Sequence, residues 1–505
     1  MKSYASILTR AFSGMNSPQV DVEIHVTNGL PQLSMVGLPE AAVKESRDRV
    51  RSAILSSGFE LPPKRITLNL APGDLPKQGS RYDLPIALSI LSATGQINLP
   101  ENIDGYEFYG ELSLNGEVKF VSGLLPSLLA AKKHNKTSII PFVNMNEASL
   151  IENPAIFGAN HLLDVIAFLQ GELELSKIEI KPQLEQVYHE DIADIKGQLQ
   201  AKRLLEICAT GGHSLLMIGE PGSGKSMLAT RLLTLLPNLS QQQAIETAVI
   251  KSIAGTPVQA ESFMKRELIS PHHSITAPAL IGGGSGNIPK PGAISLANHS
   301  ILFLDELPEF KRDVLEALRE PLESKQVTIS RVNGHATYPA NVQLIAACNP
   351  SPSGFFADDR LGRCKDTPEQ ILRYMQKISG PLLDRIDCHI EIKPVSFSQL
   401  QSNNDNTEEN SATIRSRVVK SRQKQLSRQG KLNTELNAKE LNSLVTLNDE
   451  STKLLENAVN KLGLSARGYH RILKISLTLA DMSNTTLATA HIAEALSYRK
   501  LNSKF

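Results

Sequence analysis

The chain has 505 residues, 41% of them hydrophobic and 21% charged, and a net charge of +1. That length suggests about three or four units, and the balance of residues excludes the disordered and fibrous classes. The near-zero charge excludes a general basic field, so a nucleic-acid contact would need a local patch or a surface assembled between subunits.

The N-terminus, MKSYASILTRAFSGM, lacks the apolar stretch of a secretory signal, and no segment reaches the ~18 apolar residues that cross a bilayer. Four scattered cysteines, Cys208, Cys348, Cys364 and Cys388, do not suggest a disulfide framework. A cytoplasmic setting without a membrane partner is expected.

Residues 1–172 alternate β-branched runs with amphipathic stretches. Strands are predicted at Val20 to Val26, Arg65 to Leu70 and Glu117 to Val121, and helices at Glu40 to Ser56 and Leu124 to Lys133. This is a mixed α/β domain without a phosphate loop. Residues 173–190 are polar and aperiodic and read as a linker.

Residues 191–395 change to helix, buried strand, loop, helix, with strands at Leu215 to Ile218, Ile301 to Leu304 and Val342 to Cys348. Apolar strands separated by helical stretches suggest a parallel sheet covered on both faces. After the first of them, Gly219, Glu220, Pro221, Gly222, Ser223, Gly224, Lys225 and Ser226 spell a complete phosphate-binding loop leading into a helix. The glycines let backbone N–H groups face the phosphates, Lys225 would reach the β/γ-phosphates, and the Ser226 hydroxyl would ligate magnesium. Asp305 closes the strand Ile301 to Leu304 and would hold the same ion, while Glu306 would orient and activate the attacking water. The expected cofactors are therefore a nucleoside triphosphate, ATP, and Mg2+. Asn349 ends the strand Val342 to Cys348, and from the dipeptide Asn349-Pro350 alone a water-holding amide and a simple turn are equally open.

Two stretches, the glycine-rich Ile281 to Gly292 and Ser330 to His335 with its Asn-Gly hairpin signal, read by themselves as passive flexible loops and become candidates to grip a substrate only in a ring motor. Lys290, Arg331 and His335 would be their phosphate contacts. A polar break at residues 396–412 precedes a helical block, 413–505. Within that block Arg415, Arg417, Lys420, Arg422, Lys424, Arg428 and Lys431 follow with no acid between them, a pattern of either a nucleic-acid contact or a solvated helix face.

The run PHHSIT (271–276), IGGG (281–284), PKPGAISLANHSILFLDELPEF (289–310), LEALREPLE (315–323) and SGPLLDRID (379–387) resembles the magnesium-chelatase-like branch of the AAA+ ATPases, and within it the YifB/ComM family. The N-terminal NGLPQLSMVGLPEAAVKESRDRVRSAI and the C-terminal LSARGYHRILKI extend the resemblance to nearly the whole chain. It implies an AAA+ P-loop core with a parallel sheet, preceded by a Lon-protease-like mixed α/β domain and followed by a helical lid. Carried over by position, Asn349 looks like sensor 1, Arg385 like an arginine finger supplied in trans, and Arg467 like the sensor-2 arginine reaching the nucleotide from the lid. The resemblance further implies a hexameric ring and an ATP-driven motor on single-stranded or branched DNA, promoting branch migration in natural transformation alongside recombination proteins. The alternative is a chelatase-like remodeller of a protein partner.

The chain departs from these relatives in two places. Where many carry NPCPCG and further spaced cysteines suited to zinc, this chain has Asn349 to Gly354 reading NPSPSG, with Cys364 and Asp366 beyond, so no structural zinc is expected. Aligned with Lon, Arg81 occupies the nucleophile position, with Ser80 one residue early, and Leu125 occupies that of the lysine base, so a scaffold, ring-forming or DNA-contacting role is expected for this domain. On a regular element the adjacent His272 and His273 would point in different directions, and loop or pore contacts are expected of them rather than metal ligation.

Overall fold

The computed structural model describes residues 3–37, 41–77, 79–179, 190–256, 258–284, 289–331, 334–358, 362–395 and 409–499. The first sheet uses Tyr4–Arg10 (β1), Gln19–Thr27 (β2), Gln32–Val36 (β3), Arg65–Ala71 (β4), Tyr106–Phe108 (β5), Thr137–Pro141 (β8), Ile156–Ala159 (β9) and Ser176–Lys177 (β10). Glu111–Leu112 (β6) and Val118–Lys119 (β7) form a separate small hairpin, which shortens the strand expected at Glu117 to Val121. The sheet order is β10-β9-β8-β5-β1-β2-β4-β3, with parallel and antiparallel neighbours. Along β2, Val20, Val22, Ile24 and Val26 are buried while their neighbours are more exposed, as one covered face requires. The helix Asp83–Ala93, apolar nearly all round, is buried along its whole length against that face.

The second sheet is fully parallel, in the order β12-β15-β18-β11-β19, from Leu215–Gly219 (β11), Leu268–Ile269 (β12), Ile301–Leu304 (β15), Gln343–Cys348 (β18) and Cys388–Ile392 (β19). Every residue of β11 and β15 is buried, the mark of strands covered on both faces. Two hairpins leave this core: Gly282–Gly283 (β13) with Lys290–Pro291 (β14), and Gln326–Arg331 (β16) with Gly334–Pro339 (β17).

The C-terminal block is helical among the described residues: Ser411–Gln429, Ala438–Leu444, Asp449–Leu462, Ala466–Ser483 and Thr489–Ser497. Asn410, Asn437, Asn448 and Ser465 cap four of these helices through their side chains. Most of both polar stretches expected as linkers, residues 180–189 and 396–408, lie outside the described residues.

Apolar packing ties the parts together. One cluster joins Val121, Leu124, Leu125 and Leu128 of the N-terminal part to Ala248, Val249 and Ile253 of the helix Gln241–Ala254 and on to β15 and β18. The Gly123 N–H donates to the Ser252 carbonyl at 2.9 Å across the same junction. On the other face of the core sheet, Met217, Phe303 and Ile345 pack with Ile472, Leu473 and Ile492 of the helical block.

Arg81, at the expected nucleophile position, is buried. It donates to Ser127 Oγ at 3.1 Å and to the carbonyls of Ser122 and Gly123 at 2.7 and 3.2 Å, bracing the loop that docks on Ser252.

Candidate nucleotide site

β11 ends at Gly219, where a Cβ would stand 2.6 Å from the Ile392 carbonyl oxygen of the neighbouring strand. Gly222 and Gly224 hold φ of 74° and 91°, left-handed values that let the loop curl before the helix Lys225–Leu235 begins. Lys225 Nζ donates to the Gly219 and Glu220 carbonyls at 2.7 and 3.0 Å and to Asn349 Oδ1 at 3.1 Å. Ser226 Oγ donates to Asp305 Oδ2 at 3.0 Å. Burial draws the Lys225 ammonium below its usual range, with Asp305 pulling the other way. The Cys348 thiol is pushed up to about 12 by burial and forms a neutral wall beside the site.

Asp305 Oδ1 accepts the Glu306 N–H at 2.9 Å. Glu306 itself has φ of 52°, a strained value for a residue with a long side chain, and its carboxylate lies 3.2 Å from His273 Nδ1. The His272 and His273 rings lie 4.0 Å apart between centroids, because the segment after β12 is a loop whose neighbouring side chains need not diverge.

Sequence reasoning missed two partners of this site. Besides His273, Arg363 binds Glu220 of the phosphate loop at 2.8 Å and stacks its guanidinium 4.3 Å over Phe355. Nothing in the local sequence marks Arg363. Nearby, Ser351, Ser353, Cys364 and Asp366 converge: Ser353 N donates to Asp366 Oδ2 at 2.8 Å, and Cys364 Sγ lies 3.9 Å from Ser353 Oγ. One thiol, two hydroxyls and a carboxylate do not suit a zinc ion, which takes Cys or His at most structural positions. Hydrogen bonds among these side chains and the Ser353 backbone hold the loop.

The two arginines lie elsewhere. Arg385 pairs with Glu323 at 2.8 Å and donates to the Arg319 and Pro381 carbonyls, and Arg467 reaches the same Glu323 at 3.4 Å. The Arg385 carbonyl accepts from Ser214 Oγ, just before β11, and Arg471, one turn on from Arg467, donates to that carbonyl. Both arginines therefore stand at the N-terminal edge of the sheet, beside a cavity of about 650 Å³. The phosphate loop is at the opposite edge, and a five-residue strand such as β11 separates the two by about 13 Å or more. Neither arginine reaches its own chain's phosphate loop.

The basic run from Arg415 to Lys431 is largely engaged by partners within the chain. Arg417 pairs with Glu206 and Glu409, Arg428 with Asp481 and Lys431 with Glu440, while Arg422 is buried and donates to the Ala209 carbonyl. The candidate gripping hairpins, by contrast, form one unit. Gly282 leaves room for Ile329 Cδ1, which would lie 2.4 Å from an added Cβ, and Tyr338 Oη donates to the Pro289 carbonyl at 2.5 Å. Lys290 and His335 are exposed there; the Arg331 side chain and Asn333 lie outside what is described.

A parallel sheet in this order, with a phosphate loop after one strand and an Asp-Glu pair after its neighbour but one, defines a P-loop protein of the AAA+ class. Family profiles narrow it: residues 191–400 match "Magnesium chelatase, subunit ChlI", 22–144 match "Subunit ChlI of Mg-chelatase" and 408–499 match "Magnesium chelatase, subunit ChlI C-terminal". The chain is 46% identical to competence protein ComM of Haemophilus influenzae over 99% of its own length and 98% of that protein's. It is equally 46% identical to YifB of Escherichia coli over 99% and 98% of the two chains, and 37% identical to Rv2897c of Mycobacterium tuberculosis over 98% and 99%. The chain belongs to the YifB/ComM family of magnesium-chelatase-like AAA+ proteins.

Proposed function

We propose that this protein hydrolyses ATP with Mg2+ and uses the energy, as a homo-oligomeric ring, to move on single-stranded or branched DNA, promoting branch migration during natural transformation. The observation that carries the ATPase reading is the convergence of Lys225, Ser226, Asp305 and Asn349 within hydrogen-bonding distance, with Glu306 adjacent. Ser226 and Asp305 would hold the magnesium ion, which neutralises charge on the phosphates. Lys225 supplies a fixed cation, Asn349 an amide at the γ-phosphate side, and Glu306 the base for the attacking water. Arg385 and Arg467, set at the far edge of the sheet, suit a neighbouring protomer's nucleotide, which makes the ring the catalytic unit. The DNA and the pathway rest on the likeness to a protein named for competence and on the paired hairpins.

The test is steady-state ATPase of the purified protein with and without a forked DNA. Hydrolysis should be stimulated by the fork, and Lys225→Ala or Glu306→Gln should lower kcat by about 100-fold or more. An ATPase indifferent to DNA but stimulated by a protein partner would favour the second reading, a chelatase-like remodeller, which the magnesium-chelatase profiles recommend.

A further inference from the structure

A cavity of about 490 Å³ lies under the core sheet, on the edge away from the phosphate loop. Gly212, Arg266, Ser300 and Val342 line it, each shortly ahead of a core strand, and Arg422 of the helix Ser411–Gln429 faces them. Core and helical block thus share its wall. On that helix Val419 and Leu426 stand on the same side as Arg422, three and four residues away, and are exposed along the rim.

Two cations of this lining have donors to spare. Arg422 is only 8% exposed; its Nε donates to the Ala209 carbonyl at 2.7 Å, while its two Nη groups have no partner among the described residues. Lys325 follows the helix Arg319–Ser324 at a φ of 59°, and its Nζ has no hydrogen-bond acceptor among the described residues. Lys431 is taken by Glu440. The one carboxylate of the lining, Glu435, is already engaged, accepting from Asn341 Nδ2 at 3.2 Å and from the Leu432 N–H at 3.0 Å. Burial draws both cations below their usual range, Arg422 to about 9 with the charge of Arg266 adding to the effect, and Glu435 pulls each of them back. One carboxylate felt by both puts the two charges around a common point, where donors without acceptors are costly.

A phosphate monoester meets these demands. It carries nearly two negative charges and three strong acceptor oxygens, enough to serve the Arg422 fork and the Lys325 ammonium from two sides, whereas a carboxylate brings one charge and two oxygens. The volume is that of a small-molecule site, and Val419 and Leu426 offer its body an apolar rest. We propose that this cavity binds a small phosphate monoester, its phosphate held between Arg422 and Lys325. The ligand is tied at once to the core and to the helical block, so its binding fastens one to the other, at a place separate from the nucleotide site.

The experiment is calorimetric titration of the full-length protein, without ATP or Mg2+, together with its melting temperature, using phenyl phosphate, ribose 5-phosphate and benzoate as probes. At least one of the two phosphates should bind saturably and raise the melting temperature by a few degrees, and the tighter of them tells whether a ring or a sugar rests on Leu426. Benzoate should bind about ten-fold or more weakly. The affinity should survive in Lys225→Ala, which disables the phosphate loop, and fall about ten-fold or more in Arg422→Gln and in Lys325→Gln. Lys325 has no side-chain hydrogen bond to lose, so its variant keeps the test decisive should Arg422→Gln fail to fold. No saturable binding of either phosphate, benzoate binding as tightly, or an affinity lost in Lys225→Ala and kept in Lys325→Gln would overturn the proposal.

Discussion

Lys225 shows how local chemistry becomes legible. Its neighbours in sequence, Gly219 to Ser226, are also its neighbours in space, so the loop could be read from a string of letters. Asp305 was legible for the same reason, sitting at the end of an apolar run. His273 and Arg363 were not, because each meets the site through a fold-made contact with a residue far along the chain, Glu306 and Glu220. Arg385 was visible as a motif, but its distance from its own phosphate loop could be known only once the strand edges were placed. This yields a test at the same scale. Arg385→Ala and Lys225→Ala should each abolish hydrolysis alone, whereas mixing the two proteins should restore part of it, since an intact loop can then meet an intact arginine across an interface. Two inactive variants that stay inactive after subunit exchange would argue that Arg385 serves only its own chain.

Among elements, β2 was legible from its alternation, since burial on one face leaves a period of two, and β11 from its unbroken apolar run, since burial on both faces leaves none. The basic helix Ser411–Gln429 had the right secondary structure but an unreadable purpose. Its Arg417 and Arg428 meet acids supplied by other elements, Glu206 and Asp481, and only the tertiary fold brings those together. Only the second hairpin was legible, from Asn-Gly; the first read as a glycine-rich loop, and that the two pack on one another was not visible because glycine at 282 signals a turn as readily as a close approach. Gly282→Ala tests what that approach does. The new methyl would meet Ile329 Cδ1 and, at 2.7 Å, the Lys290 carbonyl oxygen of its own hairpin at a φ of 121°, so the base of the first hairpin should distort and its seat on the second loosen. Expected is a loss of DNA stimulation with basal ATPase kept within about two-fold, the usual scale for a change distant from the chemistry. Equal loss of both would mean that the hairpins merely support the fold.

At the scale of the whole molecule, the junction between sheet and helical block carries buried titratable groups. His213 is lowered to about 4 by burial, against the pull of Asp387, and His389 to about 3 by burial and the charge of Arg499. Burial alone would raise Asp387, but Arg471 and His213 hold it below the usual carboxylate range. All three act in one sense. The unfolded chain takes up protons on these histidines below about pH 6.5 while the folded chain resists until about pH 4 or lower, so stability is present above 6.5 and drains away as the pH falls. The melting temperature should accordingly drop by several degrees between pH 7 and pH 5, and His389→Leu should flatten that slope. A slope unchanged in the variant would assign the acid sensitivity elsewhere.

The apolar cluster that runs from Leu124, Leu125 and Leu128 into the helix Gln241–Ala254 bears on how the chain is divided. Cutting ahead of residue 190 to isolate the ATPase would strip those leucines from their seats, each stripping costing roughly 1.5–3 kcal/mol of burial. The orphaned half would meet water with an oily scar and tend to clump, so an inert fragment would say more about solubility than about whether the front portion joins in the work.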